Sequence, residues 1–244
     1  MMARKLCVCN IYKSYETQNG RRQVLDNVSF ELEEGSCTVL GGENGSGKSV
    51  LMNIIAGLEE ADLGVVKSFG RAGLVFQEAD TQILGETVFE DVCFGPKNLG
   101  WKKEKVLQAA QQALKKTGLS EKKDFPARFL SGGEKRRLSV ACMLAMDFPI
   151  IIMDEPHANL DYMGIKQVNE LIKDLKAQGK TLIVLSHEIE KCLGLADRFL
   201  VLFRGMLVFD GKPEQAFEEG IDIEKWNIKN PFNSYRTVSD LVWK

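Results

Sequence analysis

Long apolar runs are the first thing this sequence lacks. No stretch of its 244 residues approaches the ~18 consecutive apolar side chains of a membrane-spanning helix, and the N-terminus shows no apolar core of a signal peptide. The chain is therefore expected in the cytosol, with any membrane role supplied by a partner. Paired cysteines are missing too. Cys7, Cys9, Cys37, Cys93, Cys142 and Cys192 show no C-x-x-C spacing, which argues against a disulfide framework and for reduced thiols inside apolar patterns. Cys7 and Cys9 lie two apart on an expected strand, so they share a face, and packing explains them more simply than a metal. Net charge is nearly absent: 32 basic against 34 acidic residues leave −2, which disfavours a binder of polyanions over its whole surface. The one lopsided stretch, 101–137, carries eleven Lys/Arg against four Asp/Glu. It reads as a solvated helical face, with a phosphate-facing or membrane-near role as the alternative. Histidine is scarcer still, with only His157 and His187.

Glycine, by contrast, is concentrated. GGENGSGKS, from Gly41 to Ser49, holds four glycines in nine residues, although glycine inside regular structure costs roughly 0.5–1 kcal/mol relative to alanine. An apolar strand, SCTVL (36–40), precedes it. A helix, SVLMNIIAGL, follows, with Leu51, Ile54, Ile55 and Leu58 at helical spacing and Gly57 placed to end it. Earlier, LCVCNIYKSY and VLDNVSFEL read as strands separated by the turn-rich ETQNGRRQ. Later, AGLVF (72–76), PIIIM (149–153) and TLIVL (181–185) alternate with helical stretches such as KVLQAAQQALKKTGL and GIKQVNELIKDLKAQG. Near-continuous Val/Ile/Leu runs between helices predict an α/β fold with a mostly parallel sheet covered on both faces. RFLVLFRGMLVFDG reads as two strands joined near Arg204–Gly205, and the tail after Gly220 has little periodicity.

Each of the three later runs ends in polar residues: Gln77, then Asp154 and Glu155, then Ser186 and His187. Ligands of open α/β sheets sit at the carboxyl ends of the strands, so these groups and the glycine loop are expected to converge on one crevice. Gly42-x4-Gly47-Lys48-Ser49 matches the P-loop pattern in its proper strand–loop–helix setting. Backbone N–H groups of such a loop surround phosphate oxygens, the lysine adds positive charge, and the serine hydroxyl can reach Mg²⁺. In IIIMDE, Asp154 is expected to serve the metal and Glu155 to activate or orient a water. LSGGEKRR (130–137) opens the helix EKRRLSVACMLAM, with capping-box spacing at Ser131-x-x-Glu134. Lys135, Arg136 and Arg137 crowd its first turns, where each cation opposes the helix dipole by roughly 0.3–1 kcal/mol. An anion at that helix end would offset the mismatch.

LSGGEKRR, followed by IIIMDEP, NLD and LSH behind a P-loop, resembles the ATP-binding cassette (ABC) ATPases over nearly the whole chain. The resemblance implies a P-loop NTPase fold of ABC type: a mostly parallel sheet core, an antiparallel β portion and a helical subdomain inserted at about 82–146. The domain is expected to span 1–227, with a tail at 228–244. It implies ATP and Mg²⁺ as cofactors, held by Gly42, Asn44, Gly45, Ser46, Gly47, Lys48 and Ser49, with Ser49, Gln77 and Asp154 at the metal. Glu155, His187, Gln77 and Lys48 are the implied catalytic set, with His187 on the γ-phosphate and Gln77 also acting as a hinge to the helical subdomain. Two cassettes would pair head to tail, identical or not, so that Ser131, Gly132 and Gly133 of one meet ATP on the other, with Asp161 communicating across the interface. An N-terminal aromatic would stack on adenine: Tyr15, or alternatively Tyr12.

GLVFQEADTQI followed by DVCFGPKNLG is most similar to the cobalt and energy-coupling-factor (ECF) type of importer ATPase. Glu78–Ala79 replaces that type's usual Asn-Pro, and only 29 positions separate Lys48 from Gln77, so the antiparallel portion reads as trimmed. The resemblance implies a motor on the inner face of the membrane, bound to integral membrane subunits and importing a vitamin or metal ion, with no nucleic acid partner. The competing readings are a soluble ABC ATPase of DNA repair, translation or iron–sulfur assembly, and a nucleotide-binding regulator without turnover.

Overall fold

The computed structural model describes residues 5–18 and 20–232. A long hairpin begins it, with β1 (Lys5–Thr17) and β2 (Gly20–Glu33) paired antiparallel from Lys5↔Glu33 to Thr17↔Gly20. The connection is much shorter than the turn-rich segment suggests, because Arg21, Arg22 and Gln23 lie on an exposed extension of the ladder and not in a loop. The next strand, β3 (Cys37–Gly41), starts a second sheet and leads through the glycine loop into α1 (Lys48–Ala56). Gly57 ends α1 in the left-handed region at φ 71°, its N–H returning to Asn53 and Ile54 carbonyls. Then β4 (Leu63–Lys67) comes back to the hairpin, giving the order β2-β1-β4. The sequence did not announce β4: its side chains are largely exposed, and backbone pairing such as Cys9↔Val65 sets its place.

The second sheet adds β5 (Ala72–Val75), β6 (Ile150–Asp154), β7 (Thr181–Leu185), β8 (Arg198–Phe203) and β9 (Met206–Gly211) in the order β5-β6-β7-β3-β8-β9. Only β9 runs antiparallel to its neighbour. Every residue of β3 and β7 is buried, because both faces are covered. Val39, Ile151, Met153 and Val184 face α5 (Tyr162–Ala177), which contributes Val168, Leu171, Ile172 and Leu175. Leu40, Ile152, Ile183 and Leu185 face α1 and the hairpin. Each fully buried Leu or Ile contributes about 1.5–3 kcal/mol over an exposed one, so the strand alternation fixes the register of the sheet.

Three helices form a layer with its own core: α2 (Val88–Asn98), α3 (Lys103–Lys116) and α4 (Gly132–Ala145), joined through Val88, Val92, Val106, Leu114 and Leu138. Val140 of α4 belongs to the sheet core instead, so this helix is the wall shared by both parts. Gly95 and Pro96 disguise α2 in the sequence. Its start is marked by a capping box between Thr87 and Glu90, and Gly95 lets the Met146 side chain pack close, since a Cβ there would stand 2.4 Å from its Sδ. Buried residues continue past 227, for Ile228 is 1% exposed and packs beside Gly41. Asn227, at φ 57°, donates its side-chain amide to the Glu43 carboxylate at 2.5 Å, tying the end of the described chain to the glycine loop. Of the tail aromatics, Trp226 is buried and Phe232 meets Phe217 edge-on at 4.9 Å, whereas Tyr235 and Trp243 lie outside the described residues.

Candidate active site

Parallel register brings the strand ends level: Val75 pairs with Met153, Met153 with Val184, and Leu40 with Leu185. The glycine loop, Gln77, Asp154–Glu155 and Ser186–His187 therefore leave the sheet along one edge. Gly42, Gly45 and Gly47 have φ of 142°, 81° and 103°, conformations open to glycine at little cost. A Cβ at Gly42 would sit 2.1 Å from the Leu202 carbonyl oxygen, and one at Gly47 2.8 Å from that of Val24. Asn44 and Gly45 are exposed, and the Ser46 hydroxyl is buried without a hydrogen-bond partner among the described residues.

Lys48, the first residue of α1, is 7% exposed and donates to the carbonyls of Gly42 at 2.8 Å and Glu43 at 2.9 Å. Burial draws its pKa down, while the charges of Glu155, Asp154 and Glu43 hold it up. Neutral carbonyls are weaker acceptors than anionic oxygens, so a phosphate entering the loop is the better partner. Beside it, Ser49 Oγ donates to Asp154 Oδ2 at 3.1 Å. Burial raises the Asp154 pKa, opposed by the Ser49 hydrogen bond and the charges of Lys48 and Arg136. Among the described residues no group of three or more His, Cys, Asp or Glu could hold a metal. Hydroxyl and carboxylate oxygens such as those of Ser49 and Asp154 are the donor type a hard cation takes, with phosphate and water oxygens to complete its shell.

Glu155 is 8% exposed and adopts φ 46°. Its Oε1 accepts from His187 twice, from the backbone N at 3.1 Å and from Nδ1 at 2.8 Å. A carboxylate only accepts, so the proton sits on Nδ1 and Nε2 is left for a ligand. The Glu155 carbonyl accepts from Arg136 Nη1 at 2.7 Å, and Arg136 Nη2 donates to the Gln77 carbonyl at 2.8 Å. The sequence treats Arg136 as one of three cations crowding a helix start that an anion would suit, yet it is 5% exposed and spends its terminal nitrogens on these carbonyls. Gln82, to which the sequence assigns no role beyond the start of the helical subdomain, uses its amide to accept from Phe76 N and to donate to the Leu74 carbonyl, stapling the Gln77 segment. The signal for it was its place at the end of the GLVFQEADTQI segment that carries the ECF resemblance.

Ser131, Gly132 and Gly133 do not join this cluster. Ser131 caps α4, its Oγ accepting from Glu134 N at 3.4 Å and its N–H donating to Glu134 Oε2 at 3.0 Å. The hydroxyl proton stays free to meet an acceptor, and Ser131 and Gly132 are exposed. Gly132 lies against Leu160, next to Asp161, which caps α5 through Gly164 N at 2.7 Å. Tyr15 stands on β1 opposite Arg22, 38% exposed, its hydroxyl bonded to Glu59 and Lys13 Nζ 5.3 Å from its ring centroid. Burial first, then Glu59, pushes its pKa up to about 12. Tyr12 is half-buried and pairs with Leu63.

His157 is in a turn but is 2% exposed. Asn169 donates to the Lys191 carbonyl and so presents Oδ1 to His157 Nε2 at 2.8 Å. Burial lowers the His157 pKa below 6.5, helped by the charges of Lys191 and Arg136 and opposed by Asn169 and Glu188. Above the unfolded pKa the ring is neutral in both states and contributes no slope. As pH falls below it, the unfolded chain binds a proton that the folded chain refuses, and stability is lost at up to about 1.4 kcal/mol per pH unit until the folded pKa is reached. Denaturant midpoints at pH 7.5, 6.5 and 5.5 should thus fall more steeply for the native chain than for His157→Gln, which keeps a donor for Asn169. Parallel curves would remove His157 from that account.

The profile described as ABC transporter matches residues 25–158. The energy-coupling factor transporter ATP-binding protein EcfA2 of Methanospirillum hungatei is 36% identical over 222 residues, covering 85% of this chain; the chain spans only 56% of that relative's length. Among solved structures, CbiO1 from Clostridium perfringens, described as part of the ABC transporter complex CbiONQ, superposes with a TM-score of 0.79 at 28% identity, covering 94% of this chain and 96% of that one. The ATP-binding cassette MJ0796, solved as a dimer in a post-hydrolysis state with ADP and Pi, gives 0.75 at 27% identity, covering 85% and 98%.

Proposed function

We propose, because this chain belongs to the ABC transporter family, that it is the ATP-hydrolysing motor of a membrane importer of the ECF type, carrying a vitamin or a metal ion. The observation that supports this most is the convergence of Lys48, the Ser49–Asp154 pair and the His187-bound Glu155 on one strand edge. Loop amides and Lys48 bind the phosphate tail, and Tyr15 stacks on the base. Ser49, Asp154 and Gln77 would hold Mg²⁺, which would supply charge neutralisation to the phosphates. Glu155 accepts the proton of a water that Gln77 helps to orient, and His187 Nε2 turns toward the terminal phosphate. Ser131 and Gly132, both exposed, together with Gly133 belong to the site of a second cassette, reached when two chains pair head to tail, and Asp161 sits at that junction.

No helix among the described residues is long and apolar enough to cross a membrane; on this reading the membrane-crossing part belongs to a partner. A groove beside the Gln77 segment, between the helical layer and the sheet, is lined by Phe76, Leu84, Phe94, Met143 and Met146, three of them well exposed. Such an apolar surface suits an integral membrane subunit. Affinity purification of the tagged chain from solubilised membranes should recover an integral membrane protein in stoichiometric amount. Recovery of the chain alone, with an ATPase rate indifferent to membrane extract, would turn the reading toward a soluble ATPase.

A further inference from the structure

Three consecutive cations open α4, and each has found a different anchor. Lys135 pairs with Asp80 at 2.5 Å and Arg137 with Gln167 Oε1 at 2.6 Å, both near the surface. Arg136 instead runs inward, and its two terminal nitrogens end on backbone carbonyls of the two loops that follow β5 and β6, those of Gln77 and Glu155. Its Nε–H has no acceptor among the described residues. A buried guanidinium with one donor unpaired carries a desolvation cost that two carbonyl bonds offset only in part, so stability alone is a poor reason for it.

The geometry points to a role in placing the catalytic carboxylate, and we infer that Arg136 is a positioning residue that locks the Glu155 and Gln77 loops to the helix headed by Ser131. This rests on the ATPase reading above. Glu155 sits at φ 46°, a sparsely populated region for a side-chain-bearing residue, and such a conformation persists only where its surroundings fix it. His187 fixes the carboxylate end, and Arg136 fixes the following peptide plane. The planar fork spans both carbonyls at once, which a lysine's point charge cannot reproduce. Ser131 lies five residues before Arg136 on one helix. Contact between Ser131 and the nucleotide of a partner cassette therefore reaches the chain's own Glu155 and Gln77 through a single rigid element.

The test is steady-state ATPase kinetics, binding of a non-hydrolysable ATP analogue and thermal midpoints for the native chain, Arg136→Met and Arg136→Lys. Loss of positioning should lower kcat by about 10- to 100-fold in Arg136→Met. KM and analogue affinity should stay within about threefold, since binding shared by ground and transition states is untouched, and the thermal midpoint should hold or rise. Arg136→Lys, which keeps a cation but one carbonyl bond at a time, should recover only part of the rate. A native rate in Arg136→Met overturns the inference and leaves the ATPase reading intact. So does parallel loss of kcat, affinity and midpoint that Arg136→Lys restores in full, which marks a structural role; if Arg136→Met does not fold, Arg136→Lys alone is read on the same scale. A native chain that hydrolyses no ATP, alone or with membrane extract, overturns both.

Discussion

Glu155→Gln should bind ATP as the native chain does and turn it over about 10²- to 10⁴-fold more slowly, the range that a positioned general base contributes. The substitution is nearly isosteric, and its amide oxygen can still accept from His187 N and Nδ1, the two bonds that hold Glu155 now. Arg136 binds the backbone carbonyl and not the side chain, so the left-handed turn at 155 survives. What is lost is the basicity of one carboxylate. Single-turnover hydrolysis beside an equilibrium binding measurement separates the two effects, and an unchanged rate would take the proton-accepting role away from Glu155.

Lys48→Ala should act at the other end of the reaction, weakening ATP affinity by about 10- to 100-fold. A hydrogen bond to a charged group is worth about 1.5–3 kcal/mol, and about 1.4 kcal/mol is a factor of ten. Lys48 is buried against the carbonyls of Gly42 and Glu43, so the ammonium has already left bulk water before any phosphate arrives. Replacing two neutral acceptors by anionic ones then gains charge attraction without a fresh desolvation penalty. Truncation forfeits that gain and also removes the two bonds from Lys48 to the loop carbonyls, while Gly42, Gly45 and Gly47 keep access to the positive φ values the loop uses. Calorimetry on the two proteins, with circular dichroism to confirm folding, checks this directly. Equal affinities would mean that the loop does not hold the phosphates through Lys48.

The parts legible in the sequence share a physical cause. A strand buried on both faces must be written as an apolar run, and the first polar residue after it marks where the chain emerges; that is why Gln77, Asp154 and His187 could be numbered before their edge was seen. Glycine at φ above zero leaves an equally direct trace at 42, 45 and 47. β4 left none, because its exposed side chains carry no pattern and its pairing is made by backbone atoms. α2 was hidden behind Gly95 and Pro96, although Thr87 and Glu90 spell its cap. Arg136 was the least legible: a guanidinium whose acceptors are main-chain carbonyls has no partner residue to read, and three adjacent cations look solvated. Tyr15 and Tyr12 look alike in the sequence and part in the structure, where Tyr15 is exposed beside Glu59 and Tyr12 is half-buried opposite Leu63.

The claim on which the account depends is that the glycine loop of one cassette and the head of α4 of another enclose one ATP. The direct measurement is a structure of Glu155→Gln purified with ATP and Mg²⁺, the variant expected to bind without turnover. The account predicts a two-fold pair with two nucleotides, phosphates wrapped by residues 42–49 and Ser131 of the facing chain at hydrogen-bond distance from each terminal phosphate. A chain that stays single at saturating ATP, or a pair in which Ser131 faces solvent while the loop is filled, would contradict it.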